Sequence, residues 1–97
     1  MRVISRKALS SFWEKHRDAE QPLKAWFHEC KCAHWKSFTE IKSRYRSADN
    51  LTGHRVVFNI KGNTYRLIVR IHYNTQIVFI RFIGTHAEYD KIDATTI

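Results

Sequence analysis

The stretch from His54 to Asp90 constrains the fold more than any other part of the chain, because apolar and polar residues alternate along most of it. Alternation with a period of two is typical of strands that bury one face. Two short polar interruptions, Gly62-Asn63 and Asn74-Thr75, are typical of tight hairpin turns. The sequence therefore predicts three consecutive antiparallel strands, followed by the first turn of a short helix.

These two turns determine which residues face each other across the strands. The first turn pairs Arg55 with Arg70, and the second pairs Ile68 with Arg81. Side chains alternate between the two faces of a sheet, so the pairing predicts an apolar face and a basic face. The apolar face is expected to hold Val56, Phe58, Ile60, Tyr65, Leu67, Val69, Ile71, Val78, Ile80 and Phe82. The basic face is expected to hold Arg55, Asn59, Arg66, Arg70, His72 and Arg81, interleaved with Val57, Ile68, Ile77, Phe79 and Ile83.

Helical periodicity dominates the residues that precede the strands. A first helix is expected from Ser5 to about His16, and a second from Asp18, so that the two form a helical hairpin. The apolar stripe of the first consists of Leu9, Phe12, Trp13 and His16. The apolar stripe of the second consists of Ala19, Leu23, Trp26, Phe27 and Cys30. A third, short helix is expected to begin at Ser37, and the tryptophans are expected in the core.

Three shorter segments complete the predicted architecture. Residues 1–4 could form an edge strand, and residues 47–53 are expected to be a loop. The tail from Asp93 has no pattern and is expected to fray. With the helices covering the apolar face and leaving the basic face open, the chain is predicted to be an α+β two-layer domain, a single domain over residues 1–97.

The charge of the chain narrows its function. A net charge of +8 and a pI near 9.9 favour an anionic partner, which could be nucleic acid, an acidic protein or a membrane surface. No run approaches the roughly 18 apolar residues of a membrane span, and residues 1–7 lack the apolar core of a secretory signal. A cytoplasmic protein without membrane association is therefore expected.

The two cysteines, Cys30 and Cys32, lie between His28 and His34. His28 with Cys32 and Cys30 with His34 are each spaced to share a helix face, as metal ligands can be, but the two pairs point in different directions. Reduced, structural cysteines are the preferred interpretation in a cytoplasmic chain. We expect no metal and no cofactor.

The basic face has two readings. Long charged side chains are common on solvated sheet faces, but such faces usually mix signs, and the predicted face contains no Asp or Glu. A cluster of guanidinium groups suits the binding of several phosphates, because each can contact a phosphate through two hydrogen bonds. Phosphate binding alone would require nothing more than this face.

A potential proton carrier follows the last strand, in Thr85-His86-Ala87-Glu88-Tyr89-Asp90. The pattern from Thr85 to Glu88 is a capping box that starts a helical turn, on which His86 and Tyr89 share a face. Histidine transfers protons near neutral pH, and arginines can stabilise the charge that develops on a phosphorane-like oxygen. A capping-turn histidine without a role is the alternative. Asp90 could orient His86, but an ion pair with Lys91 or an arginine is the preferred expectation.

Several stretches together resemble the HigB toxins of bacterial type II toxin–antitoxin modules, and the resemblance covers nearly the whole chain. They are MRVISRKAL, FWEKH, DAEQPLKAW, VVFNIKGNTYRLIVRI and IVFIRFIGTHAEYDKID, of which the last two are the most specific. One departure is Lys61, where the family commonly has a second glycine before Gly62.

The resemblance implies a RelE-like fold, with an N-terminal strand and a helical hairpin packed on a small antiparallel sheet. It implies an mRNA interferase that cleaves mRNA without metal, usually on the ribosome. It also implies neutralisation by a HigA-type helix-turn-helix antitoxin, with operator DNA bound only through that antitoxin.

On this basis we expect two groups of site residues. The catalytic group, in which arginines stabilise the transition state and His86 acts as acid or base, is Arg66, Arg81, His86 and Tyr89. The RNA-binding group is Arg55, Lys61, Arg70, Phe79 and Lys91. Two alternatives stay open: a non-catalytic nucleic-acid-binding module that uses the basic face, and an interaction domain for an acidic protein.

Overall fold

A computed structural model describes residues 1–97 and contains five strands and four α-helices. The strands are β1 (Arg2–Ile4), β2 (Asp49–Leu51), β3 (Arg55–Ile60), β4 (Tyr65–His72) and β5 (Ile77–Thr85). The helices are α1 (Arg6–Lys15), α2 (Glu20–Cys32), α3 (Phe38–Arg44) and α4 (His86–Tyr89), with a 3₁₀ turn at Arg17–Ala19 before α2. None of these helices has the length and apolar content to cross a membrane.

All five strands belong to one sheet, in the order β1-β5-β4-β3-β2. β1 runs parallel to β5 at one edge, and the other neighbouring pairs are antiparallel. The predicted α+β class and the N-terminal edge strand are confirmed. The expectation of a loop at residues 47–53 is wrong in its middle, because Asp49–Leu51 pairs with β3 as the opposite edge. Asp and Asn are depleted in strands, so this strand leaves little signal in the sequence.

The predicted register of the sheet is correct except at one bulge. Arg55 pairs with Arg70, and the β3–β4 ladder runs from there to the Ile60–Tyr65 pair, as expected. The β4–β5 ladder also agrees up to Val69, but the register then shifts. The next pair is Ile68 with Phe82, so Arg81 is an extra residue without a partner, and the predicted Ile68–Arg81 pair is wrong.

The bulge exchanges the faces of the residues that follow it. Ile83 pairs with Leu67 and packs against the core, whereas Phe82 pairs with Ile68 on the basic face. The predicted placement of Phe82 and Ile83 is therefore reversed. The Phe82 ring reaches over Gly84, where a Cβ atom would lie only 2.6 Å from Phe82 Cζ.

The core lies between the helices and the apolar face of the sheet. Leu9, Leu23 and Leu67 are fully buried there, and burial of one such side chain contributes roughly 1.5–3 kcal/mol. The predicted core position of the three tryptophans is confirmed. The ring of Phe58 lies 5.4 Å from that of Trp26, 6.4 Å from that of Trp35 and 5.1 Å from that of Tyr45.

The C-terminal segment, residues 90–97, ends beside Arg55 on the basic face, although the sequence predicts a frayed tail from Asp93. At one end of the β3–β4 pair, the His86 amide donates to the Thr64 carbonyl oxygen and positions α4. At the other end, Arg55 Nε donates to the Ile97 carbonyl oxygen at 2.9 Å. The segment between them must follow the strands, a span of about 17 Å at 3.3 Å per residue. Ile68 on this face is 0% exposed, so the expectation of an open face is wrong at its centre.

Candidate active site

The α4 turn is held at the end of β5 by the predicted capping box, which is confirmed. Glu88 N donates to Thr85 Oγ1 at 3.2 Å, and Thr85 N donates to a Glu88 carboxylate oxygen at 2.8 Å. The hydrogen bond from the Thr85 backbone amide is the main reason why the pKa of the Glu88 carboxyl lies below its usual range. The turn therefore presents the residues between the caps in a defined orientation.

His86 and Asp90 form a pair on this turn. His86 Nδ1 lies 3.0 Å from Asp90 Oδ2, with the histidine side chain 48% exposed. The expectation that Asp90 pairs with Lys91 or an arginine is wrong, and the orienting role is the one that the geometry favours. The contact uses Nδ1 and leaves Nε2 as the ring nitrogen without a partner in the protein.

Arg66 and Tyr89 come together beside this pair. The guanidinium carbon of Arg66 lies 5.7 Å from the centroid of the Tyr89 ring, and Arg66 Nη1 donates to the Asn63 carbonyl oxygen at 3.3 Å. Because Arg66 pairs with Gly84 across the sheet, it stands one residue from the start of the turn that carries His86. The structure thus gathers three of the four predicted catalytic residues at one end of the basic face.

Arg81, the fourth predicted catalytic residue, is the unpaired residue of the β5 bulge and is exposed. It lies three residues before Gly84, so its Cα is about 10 Å along the strand from the Arg66–Gly84 pair. Arg66, Arg70 and Arg81 take part in none of the ion pairs. Their guanidinium groups are therefore available to an external anion.

Two of the residues predicted to bind RNA already have partners within the protein. Arg55 donates through Nη1 to the Thr52 carbonyl oxygen at 3.2 Å, in addition to its bond to Ile97. Lys61 Nζ lies 2.6 Å from Asp18 Oδ2, and this hydrogen bond is the main reason why the pKa of the Asp18 carboxyl is lowered. The same carboxylate accepts a hydrogen bond from Tyr65. These contacts join the sheet to the C-terminal segment and to the 3₁₀ turn.

The other predicted RNA-binding residues are accessible. Arg70 is exposed and stands directly opposite the half-buried Phe79 across β4 and β5. Lys91 is exposed after α4, where its amide donates to the Glu88 carbonyl oxygen at 3.2 Å. His54, which begins the alternating stretch, and His72, which the sequence predicts on the basic face, line a cavity of about 240 Å³ next to Arg70. The sequence does not indicate that they belong together, because they are 18 residues apart and line the same cavity only once the sheet has formed.

The cysteines form a different, less reactive arrangement. Cys30 is buried in the core, and this burial raises the pKa of its thiol to about 12. Cys32 is exposed, with Sγ 4.0 Å from His28 Nε2. A thiol with a raised pKa is almost wholly protonated at pH 7 and is a poor nucleophile and metal ligand.

Comparison with known proteins gives consistent matches over almost the full length. A family model described as HigB_toxin, the RelE-like toxic component of a toxin-antitoxin system, matches residues 19–92. The mRNA interferase toxin HigB of Escherichia coli strain K12 is 30% identical over 96 residues, covering 97% of this chain and 92% of that protein. The mRNA interferase HigB of Shigella flexneri aligns with the same identity and coverage. An mRNA interferase HigB of Escherichia coli O6:H1 is 24% identical over 94 residues.

Proposed function

This chain belongs to the HigB toxin family, and from that membership we propose that it is an mRNA interferase, the toxin of a toxin–antitoxin module. It is an endoribonuclease that stops translation by cutting messages. The RelE-like class agrees with the helices packed on a mixed sheet. The substrate class agrees with the net charge of +8 and with three guanidinium groups that have no carboxylate partner.

The proposed reaction is transesterification within the RNA strand. The 2′-hydroxyl loses its proton and its oxygen attacks the adjacent phosphorus, and the bond from phosphorus to the 5′-oxygen breaks. The leaving 5′-oxygen takes up a proton, so the products end in a 2′,3′-cyclic phosphate and a 5′-hydroxyl. The reaction needs a proton acceptor, a proton donor and stabilisation of the charge on the phosphoryl oxygens.

The residues at the α4 turn are proposed to supply these parts without a metal ion. His86, oriented by Asp90, carries a proton as acid or base through its free Nε2. Arg66 and Arg81 stabilise the charged phosphoryl oxygens, and Tyr89 orients the substrate or supplies the second proton. The observation that supports this assignment most is the His86–Asp90 contact of 3.0 Å beside the Arg66–Tyr89 contact.

Further partners follow from the same proposal. A helix-turn-helix antitoxin of the HigA type is proposed to neutralise the toxin, and operator DNA would be bound only through it. The message is proposed to be cut while it is engaged by the ribosome, which places the protein in the cytoplasm. Arg70, Phe79 and Lys91 are proposed to hold RNA beyond the scissile phosphate, whereas Arg55 and Lys61 act mainly through their internal partners.

The test is induction of the wild type and of a His86→Ala, Arg81→Ala double variant in cells, with mapping of RNA 5′ ends. The double variant should lose growth arrest, since loss of one acid or base alone slows such reactions about 10²–10⁴-fold. Co-purification with the antitoxin shows that each variant is folded. Arg46→Ala is the matched control, because it removes an exposed charge from the turn between α3 and β2.

Two results would contradict the proposal at different points. Full toxicity of the folded double variant would refute the site. Growth arrest by the wild type without new 5′-hydroxyl ends, with and without translation, would refute cleavage and favour a binding module whose effect follows affinity and salt concentration.

A further inference from the structure

A second group of ring and cationic side chains lies at the opposite end of the basic face from α4. It surrounds the cavity of about 240 Å³, whose lining includes His54, Arg70, His72 and Tyr73. No Asp or Glu contributes to this lining. The Tyr73 ring also packs against the core, but the catalytic proposal does not require these side chains to converge.

The cavity exists because the segment before β3 turns away from the sheet, so that the last residues of β4 have no β3 residue beside them. The Arg55–Arg70 pair is the last of the β3–β4 ladder, and β4 continues for two more residues. His54 has a φ of 59° and Gly53 a φ of 70°, both left-handed, so the chain turns away there. The Ile71 amide still donates to the His54 carbonyl oxygen at 2.9 Å, which fixes the loop beside the strand.

The lining combines two kinds of recognition. Arg70 is exposed and has no ion pair, while its cross-strand neighbour Arg55 is satisfied by two carbonyl oxygens. The His72 ring lies 5.1 Å from the Phe79 ring at 68°, and the His54 ring lies 6.1 Å from the Tyr73 ring at 76°. A free guanidinium binds phosphate, and imidazole or aromatic rings stack on the bases of single-stranded RNA.

We propose that this cavity is a nucleotide subsite, in which the rings of His54 and His72 contact a base and Arg70 contacts its phosphate. The volume is below the roughly 300–1,000 Å³ of sites for drug-sized ligands, and so fits one base. A carboxylate from an acidic protein would bind the Arg70 guanidinium but would leave the rings of His54 and His72 without a partner. The lining therefore favours RNA.

The position of the subsite assigns it to a flanking nucleotide, a deduction that rests on the proposed function. Arg70 is four residues from Arg66 on β4, which is about 13 Å at 3.3 Å per residue. This distance is several times the roughly 3.4 Å rise per nucleotide in a stacked strand. The base in the cavity therefore lies a few nucleotides from the cleaved phosphate, and its identity affects which sequences are cut.

Binding is tested on the isolated full chain by NMR of the six histidine imidazoles. The probes are AMP, GMP, CMP, UMP, inorganic phosphate, adenosine and acetate. At least one nucleotide should shift the His54 and His72 signals saturably and more strongly than phosphate or acetate. Arg70→Gln should weaken this binding at least fivefold, whereas Arg46→Gln, which removes a distant exposed charge, should leave it unchanged.

Three outcomes would overturn the subsite. In the first, nucleotides shift His86 but neither His54 nor His72. In the second, phosphate acts as strongly as every nucleotide, which reduces the cavity to an anion contact. In the third, acetate competes equally, as expected for an acidic protein partner.

Cleavage mapping separates this proposal from the catalytic one. His54→Ala and His72→Ala should alter the base preference a few nucleotides from the cut sites, and an unchanged preference would contradict the flanking role. If the wild type made no 5′-hydroxyl ends, the catalytic proposal would fail, and the NMR titration would still decide whether the cavity binds a nucleotide.

Discussion

Ile68→Ala tests whether the centre of the basic face is covered. Ile68 lies on that face, opposite Phe82, yet its exposed fraction is 0%. On an open sheet face the truncation would change the free energy of unfolding by no more than about 0.5 kcal/mol. Truncation of a buried isoleucine to alanine lowers the free energy of unfolding by about 2–5 kcal/mol, because the loss of buried apolar surface and the cavity that remains both destabilise the fold. We expect about 2–3.5 kcal/mol, since the surrounding side chains on this face can partly close the space.

Urea unfolding measures this loss, with the fluorescence of the buried Trp26 and Trp35 as the signal. At about 1–3 kcal/mol per molar urea, the midpoint should fall by roughly 1 M or more. The Tm should fall by at least about 8 °C, at about 4–8 °C per kcal/mol for a domain of this size. Leu67→Ala, buried on the opposite face, should cost at least as much. A loss below 0.5 kcal/mol for Ile68→Ala, with a large loss for Leu67→Ala, would refute the covered face.

Three other changes test the site and its supports. Tyr89→Phe keeps the ring but removes the hydroxyl, and should slow RNA cleavage about 10²-fold, if that hydroxyl transfers a proton, without changing Tm. Asp18→Asn tests a pH dependence. The pKa of the Asp18 carboxyl is lowered from 3.8, first by its hydrogen bond to Lys61. Its charged form therefore stabilises the fold above pH 3.8, and this contribution is lost as the pH falls through the lowered pKa. The variant and the wild type should thus differ in Tm at pH 7 and converge in acid. Gly84→Ala would place a Cβ 2.6 Å from Phe82 Cζ, and should cost about 1–3 kcal/mol in urea unfolding as the ring is displaced.

Each of these changes has a result that would contradict its reasoning. If the Tyr89→Phe variant cleaved RNA at the wild-type rate, the hydroxyl would transfer no proton, and Tyr89 could only orient the substrate. A Tm difference for Asp18→Asn that persisted unchanged in strong acid would show that the carboxylate charge is not its source. A Gly84→Ala protein of wild-type stability would mean that Phe82 can move away without cost.

Much of the sheet could be predicted from the sequence because two features agreed. Alternation assigned the faces of β3 and β4, and the Gly62-Asn63 turn set their register, which the structure confirms. The bulge was invisible because residues 77–83 are apolar at six of seven positions, so that one extra residue leaves no break in the pattern. The partner of β1 was equally hidden, since a parallel neighbour 75 positions away carries no local signal.

Which residues gather at the candidate site could largely be predicted from the sequence, but several of their contacts could not. The capping box placed His86 and Tyr89 on one turn, and the strand register brought Arg66 to it. The partner of Asp90 could not be read from charge alone, because several cations lie near it in the sequence. The path of the C-terminal segment could not be predicted because it depends on the bond from Arg55 to Ile97, a contact across 42 positions.

The pairing of the first strand with the last sets an order of events during synthesis. Ile4 has to wait for Phe79 before that pair can form, and at about 5–20 residues per second this takes roughly 4–15 s. The proposed catalytic residues lie in the same late portion, from Arg66 to Tyr89. A newly made molecule therefore has neither a complete sheet nor a complete site until residues 66–89 have been made, so the ability to cut messages is among the last properties that this domain acquires as it folds.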